Sequence, residues 1–146
     1  MKISSRITFF GNCREAIEFY KEVFEIENVN VETFEDSKEM SNMQLSEDEK
    51  RLIFRSELKI KDKESYFSII MADSPVLAFN KGYIGNKNNV DNITFEVSCI
   101  TREQIKEIYE KLSAEGKINI SLQTKNSYKL FGSLIDKYGV CWNLYC

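Results

Sequence analysis

Few side chains in this sequence are equipped for chemistry, and those that are favour holding a ligand over activating one. The 146 residues include no histidine. A Ser–His–Asp triad and a Cys–His pair are therefore excluded, since each needs an imidazole base. Cys13, Cys99, Cys141 and Cys146 form no CxxC pair and find no histidine to complete a mixed zinc set. They read as reduced thiols, two of them in apolar surroundings where cysteine packs as a small hydrophobe. No glycine-rich phosphate loop is present. What remains is a set of charged and amide side chains on strand-like segments. Alternation places Arg6, Thr8 and Phe10 on one parity, and Asn92, Thr94 and Glu96 on another. With Arg55 and Asn143 they can face one concave pocket. Arg6 with Arg55 suits an anion, because a guanidinium fork matches carboxylate or phosphonate geometry. Glu96, or Glu57, is the candidate general base if desolvation raises its pKa. The plainer alternative is that Arg6–Glu96 and Arg55–Glu57 are structural ion pairs on an open sheet face. Phe10, Tyr128 and Phe131 can wall the pocket, although strand aromatics such as Phe131 more often belong to a core.

These positions are set by an internal repeat. Ile7-Thr8-Phe9 recurs as Ile93-Thr94-Phe95 and Cys13 as Cys99, at an offset of 86. Beyond a two-residue slip, Arg14-Glu15, Ile17, Tyr20 and Phe24 meet Arg102-Glu103, Ile105, Ile108 and Leu112 at an offset of 88. Each copy opens with a strand and continues into a helix. Asn12 with Glu15 and Thr101 with Gln104 have capping-box spacing, and Gly116 is suited to stop the second helix. The stripes Ala16, Ile17, Tyr20, Phe24 and Ile105, Ile108, Tyr109, Leu112 are spaced to cover a sheet. Strand-like runs follow at 29–34, 51–60 and 66–72, then at 117–123, 128–135 and 140–145, with Trp142 expected in the core between Val140 and Leu144. Residues 35–50 read as a long mobile loop and 79–89 as a linker. The expected architecture is α+β: two tandem βαβββ modules, 1–80 and 90–146, within one domain of 1–146, with their free sheet faces forming a cleft.

Composition is that of an ordinary globular chain, 42% hydrophobic and 29% charged. A net charge of −3, with Lys and Arg scattered among Asp and Glu, argues against nucleic-acid or membrane-surface partners. No run approaches the ~20 apolar residues that span a bilayer. Met1 to Ser4 carry no apolar signal segment, so a cytoplasmic location is expected.

The run from Gly11 to Tyr20 (GNCREAIEFY) resembles the first helix of the PhnB-like branch of the vicinal oxygen chelate superfamily, which includes glyoxalase I, extradiol dioxygenases and bleomycin-resistance proteins. The segments 54–58 (FRSEL), 121–123 (SLQ) and 136–144 (DKYGVCWNL) match further motifs of that branch. The resemblance implies paired βαβββ modules, a ligand cleft and a homodimer. It also implies where a divalent metal would be held. Those positions fall on Arg6, its repeat partner Asn92, Asn143, and Ser68 or Ile70, while the histidine common in the third strand is Arg55. The Trp-Gly pair usual in the branch is Ser127-Tyr128. Arginine is a permanent cation with no lone pair to donate, and two amides hold a transition metal poorly. Glu96 and Glu57 together suit at most weak Mg²⁺ or Ca²⁺ binding. The expectation is a protein with no metal and no cofactor that binds a small anionic or hydrophobic molecule. The rivals are a metal-independent acid–base enzyme and an interaction module with a vestigial pocket.

Overall fold

The computed structural model of the chain describes residues 5–61, 66–74, 94–99, 101–125 and 128–146. The chain divides into two compact units, Met1–Gly85 and Asn86–Cys146. The first holds β1 (Ser5–Phe9), α1 (Cys13–Val23), β2 (Asn30–Thr33), a 3₁₀ turn (Lys38–Met40), α2 (Glu47–Lys50), β3 (Ile53–Lys61) and β4 (Tyr66–Asp73). The second holds β5 (Thr94–Ser98), α3 (Arg102–Ser113), β6 (Lys117–Lys125), β7 (Tyr128–Ile135) and β8 (Cys141–Tyr145). Their four-stranded sheets have the same order, β1-β4-β3-β2 and β5-β8-β7-β6. In each, the first strand runs parallel to the last and the other pairings are antiparallel. This is the expected duplication.

One face of each sheet is closed by its own helix. In the first unit Ile7, Phe9, Leu58, Ile69 and Met71 share a face with the buried side of α1, formed by Cys13, Ala16, Ile17, Tyr20 and Val23. In the second, Phe95, Leu134, Trp142 and Leu144 lie under Ile105, Tyr109 and Leu112. Each such fully buried side chain contributes about 1.5–3 kcal/mol. Trp142 is in the core as expected, its ring centroid 5.1 Å from that of Phe95. The helix copies match by burial at an offset of 89 rather than 88: Ala16, Tyr20 and Val23 correspond to Ile105, Tyr109 and Leu112. Ile108, the sequence partner of Tyr20, is only half-buried.

Three further expectations change. Residues 35–50 are no long irregular loop, for they contain the 3₁₀ turn and α2, and they are pinned by buried Ser37 and Met40 beside buried Phe34. Ser46 and Glu49 form a full capping box there, whereas Asn12 makes no side-chain cap at α1. Thr101 does cap α3, accepting from the Gln104 N–H at 3.1 Å. Gly116 does not provide the left-handed residue after α3; Glu115 does, at φ 60°. Gly116 is needed for a different reason, since a Cβ there would collide with the Ile135 carbonyl oxygen. The expected linker, 79–89, lies outside the described residues. Among those described, no helix is long and apolar enough to cross a membrane.

Candidate functional site

Because strand side chains alternate, the residues opposite the helix-covered ones form a second, helix-free face on each sheet. In the first unit that face carries Arg6, Thr8, Glu32, Arg55, Glu57, Lys59, Ser68, Ile70 and Ala72. Register gives their neighbours. Arg6 lies across from Ile70, Ile70 from Glu57, and Glu57 from Asn30. Arg6 and Glu57 are thus two strand spacings apart, about 10 Å across the sheet, with Ile70 between them. Arg55 stands directly opposite Glu32 next to a β-bulge, so the carboxylate facing it across the strands is Glu32, with Glu57 two residues along its own strand. Among the described residues the salt bridges are Lys21–Glu18, Lys50–Glu47, Lys111–Glu107 and Lys137–Glu115; neither guanidinium closes one. Arg6, Thr8 and Arg55 are exposed and Glu57 half-buried. Phe10 lies past the end of β1, half-buried in the turn before α1.

Ser68 is distinctive on this face. It is only 8% exposed, and its hydroxyl finds no hydrogen-bond partner. A buried hydroxyl left unpaired costs about 1–3 kcal/mol. Ser68 is two residues from Ile70 on β4 and across from Lys59 on β3.

In the second unit Glu96 lies beside Asn143, Asn143 beside Ser133, and Ser133 beside Ile120. The next row is Ser98, Tyr145, Phe131 and Gln123, and the row on the other side joins Thr94, Cys141, Ile135 and Lys117. Two of the expected site residues, Glu96 and Asn143, are therefore immediate neighbours, and Thr94 is one row away. Glu96 and Thr94 are exposed; Asn143 is half-buried. Phe131 sits half-buried on this helix-free face rather than in the core. Asn92 lies outside the described residues, as does the side chain of Tyr128 at the start of β7. Ser133, Tyr145, Lys59 and Glu32 were missed by sequence reasoning. The signal was present, since each shares parity with a residue singled out on its own strand or sits opposite one.

The donors do not fit a transition metal. Arg6 and its direct neighbour Ile70 offer no lone pair, Ser68 is a neutral hydroxyl, and Asn143 is an amide beside a lone carboxylate, Glu96. No group of three or more His, Cys, Asp or Glu side chains converges among the described residues.

Away from these faces, two buried aspartates hold the units together internally. Asp73, 2% exposed, accepts through Oδ1 from the Gly11 and Cys13 N–H groups at 2.9 and 3.1 Å, and through Oδ2 from Ile53 N–H at 2.9 Å. Asp136, 3% exposed, accepts from Tyr138 and Val140 N–H and, at 2.8 Å, from the Trp142 indole. Burial, followed by the charge of Asp73, pushes the Cys13 thiol far above its ordinary pKa, which keeps it protonated and inert.

The family model described as 3-demethylubiquinone-9 3-methyltransferase matches residues 1–145. The chain belongs to this PhnB-like family. Among solved structures, a Pseudomonas aeruginosa protein is similar with a TM-score of 0.77 at 18% identity, over 100% of this chain and 97% of the other. The PhnB protein of Bacillus cereus gives 0.71 at 24% identity, over 99% and 98%. A glyoxalase-related enzyme of Fulvimarina pelagi gives 0.55 at 14%, over 99% and 88%. No curated protein matches. At these identities the likeness shows the fold, which is the glyoxalase/bleomycin-resistance-like fold of paired βαβββ units. The resemblance carried by the Gly11–Tyr20 run is in this way confirmed for a PhnB-like chain.

Proposed function

We propose that this PhnB-like protein binds a small ligand on its helix-free sheet faces without a transition metal, and that the polar end of the ligand is anionic. The observation that carries the reading is the buried, unpartnered Ser68 hydroxyl on the same face as Arg6 and Lys59. A ligand carboxylate or phosphonate would pair with the exposed Arg6 and Lys59 and would reach the enclosed Ser68 hydroxyl only by seating beside Ile70 and displacing what covers it. The site residues in this reading are Arg6, Thr8, Ser68 and Arg55 on the first unit's face; Thr94, Glu96 and Asn143 are a separate candidate set on the second unit's face. The protein acts as a binding or sequestering module, located in the cytoplasm and working as a homodimer. The family's descriptive name denotes a methyl transfer, which lies beyond this proposal.

Ligand binding to the native state raises the melting temperature. A thermal-shift screen of small carboxylates, phosphonates and amphiphilic antibiotics should return hits that Ser68→Ala and Arg6→Ala each weaken. A screen without hits, or hits indifferent to both substitutions, would sink the proposal.

A second reading rests on the Glu96–Asn143 adjacency. An amide beside a carboxylate can orient it as a general base. In that case turnover of a bound ligand collapses in Glu96→Gln while binding persists; unchanged turnover removes Glu96 from the chemistry.

A further inference from the structure

The second unit carries a pair of thiols that neither helix-free face uses. Strands β5 and β8 run parallel, with Ser98 across from Tyr145. One residue further on each strand stand Cys99 and Cys146. The backbone stays paired there, for Cys99 N–H donates to the Tyr145 carbonyl at 2.8 Å, and Cys146 N–H donates to the Leu130 carbonyl at 3.1 Å. Continuing the register puts both cysteines on the helix-covered face, in line with Phe95 and Val97 on β5 and with Trp142 and Leu144 on β8. Neighbouring strands are about 4.8 Å apart, and disulfides bridge Cα atoms roughly 4.4–6.8 Å apart. Both are free thiols, Cys99 buried and Cys146 half-buried.

We propose that Cys99 and Cys146 are a reversible disulfide site, oxidised by a low-molecular-weight disulfide such as oxidised glutathione. Cys146, the more accessible thiol, attacks one sulfur of the oxidant as its thiolate. An S–S bond forms to Cys146, the oxidant's S–S bond breaks, and one glutathione thiol leaves. Cys99 then gives up its proton and attacks the Cys146 sulfur. The mixed disulfide breaks, the second glutathione thiol departs, and the intramolecular bond remains. The protein has lost two electrons and two protons, and the oxidant has gained both.

Burial of Cys99 suits it to the second role, because a resolving thiol needs no access for the oxidant. Desolvation and the neighbouring Cys146 push the Cys99 thiol up to about 11, which keeps it protonated and protected until the mixed disulfide is beside it. The other cysteines are poorly placed to compete. Cys13 is buried in the first unit. Cys141 is five residues up β8, roughly 17 Å from Cys146, and on the opposite face, across from Thr94.

The test uses the full chain carrying Cys141→Ser, since a tryptic peptide holding Cys146 would otherwise also hold Cys141. The protein is equilibrated with oxidised glutathione, denatured with an alkylating reagent and analysed by peptide mass spectrometry. The expected result is a Cys99–Cys146 crosslinked peptide that disappears on reduction, with Cys13 alkylated throughout and a higher melting temperature for the oxidised form. Adding Cys146→Ser should abolish both the crosslink and the temperature rise. A persistent glutathione adduct on Cys146 with Cys99 still alkylated would overturn the proposal. So would a crosslink that survives Cys146→Ser, or one that links two chains.

Discussion

The two units secure the same junction, from first strand into helix, by different means. In the second, the helix start is served locally, by the Thr101 side chain accepting from Gln104 N–H. In the first, Asn12 occupies the corresponding place and caps nothing. The work passes to Asp73, 60 residues away at the end of β4, which takes the Gly11 and Cys13 N–H groups and also ties in Ile53 at the start of β3. The short-range cap and the long-range buried carboxylate take different donors of the junction: Thr101 the N–H three residues on, at Gln104, and Asp73 the first helical N–H, at Cys13, with the Gly11 N–H before it. They differ in what else they hold. Losing the cap loosens one helix end, while losing Asp73 releases a turn, a helix and a strand together.

The largest effect should therefore follow Asp73→Ala. It strands three N–H groups, and hydrogen bonds to a charged acceptor contribute about 1.5–3 kcal/mol each. With partial rescue by water, a loss of about 3–5 kcal/mol is expected in urea unfolding. A loss near that of an ordinary cap would end the claim that Asp73 is the wider anchor. Asp136→Asn is the matching change in the second unit. An asparagine keeps Oδ1 for Tyr138 and Val140 but turns an amide donor toward the Trp142 indole N–H, so about 2–3 kcal/mol should be lost, with a change in tryptophan fluorescence. If the spectrum is unmoved, the indole contact is not what Asp136 provides.

A finer form of the comparison sets Thr101→Ala against Asn12→Ala. Removing a working N-cap costs about 1 kcal/mol, so Thr101→Ala should destabilise by that amount. Asn12→Ala should cost clearly less, because its side chain makes no cap bond. Equal losses would mean that the two junctions are alike after all.

The same contrast explains how much could be read from the sequence. Period-two alternation sorted Arg6, Thr8, Arg55, Glu57, Thr94, Glu96 and Asn143 onto helix-free faces, because parity is a local property. Parity is silent on lateral neighbours, which depend on register. Hence the placement of Glu32 opposite Arg55, of Ile70 between Arg6 and Glu57, and of Ser133 beyond Asn143 emerged only from the pairing of strands. Asp73 was invisible for the same reason, since its partners lie 60, 62 and 20 residues away. The helices differ in legibility as well. Apolar stripes revealed α1 and α3. Residues 35–50 have no such stripe, although Ser46 and Glu49 spelled a capping box that a closer reading of the polar segment would have caught.

That segment is the second difference between the units. β6 and β7 are antiparallel neighbours with two residues between them in sequence, while β2 and β3 are separated by residues 34–52, which are braced by short-range contacts. Thr33 begins the bracing: its hydroxyl donates to Asp36 Oδ2 at 2.6 Å, and its N–H donates to the same oxygen at 3.2 Å. These bonds, the hydroxyl's first, hold the Asp36 carboxyl below its ordinary pKa of 3.8. A depressed folded-state pKa means that this stabilisation is present above pH 3.8 and fades as pH falls through the lower folded value. Thr33→Val keeps a β-branched residue at the strand end and removes the hydroxyl alone. The Asp36 titration followed by NMR should move up toward 3.8 without reaching it, because the backbone bond remains. The difference in stability between the two proteins should be small at neutral pH and vanish in acid. An Asp36 titration that does not move would show that the hydroxyl is not what braces the start of this connection, and that the two units differ there in length alone.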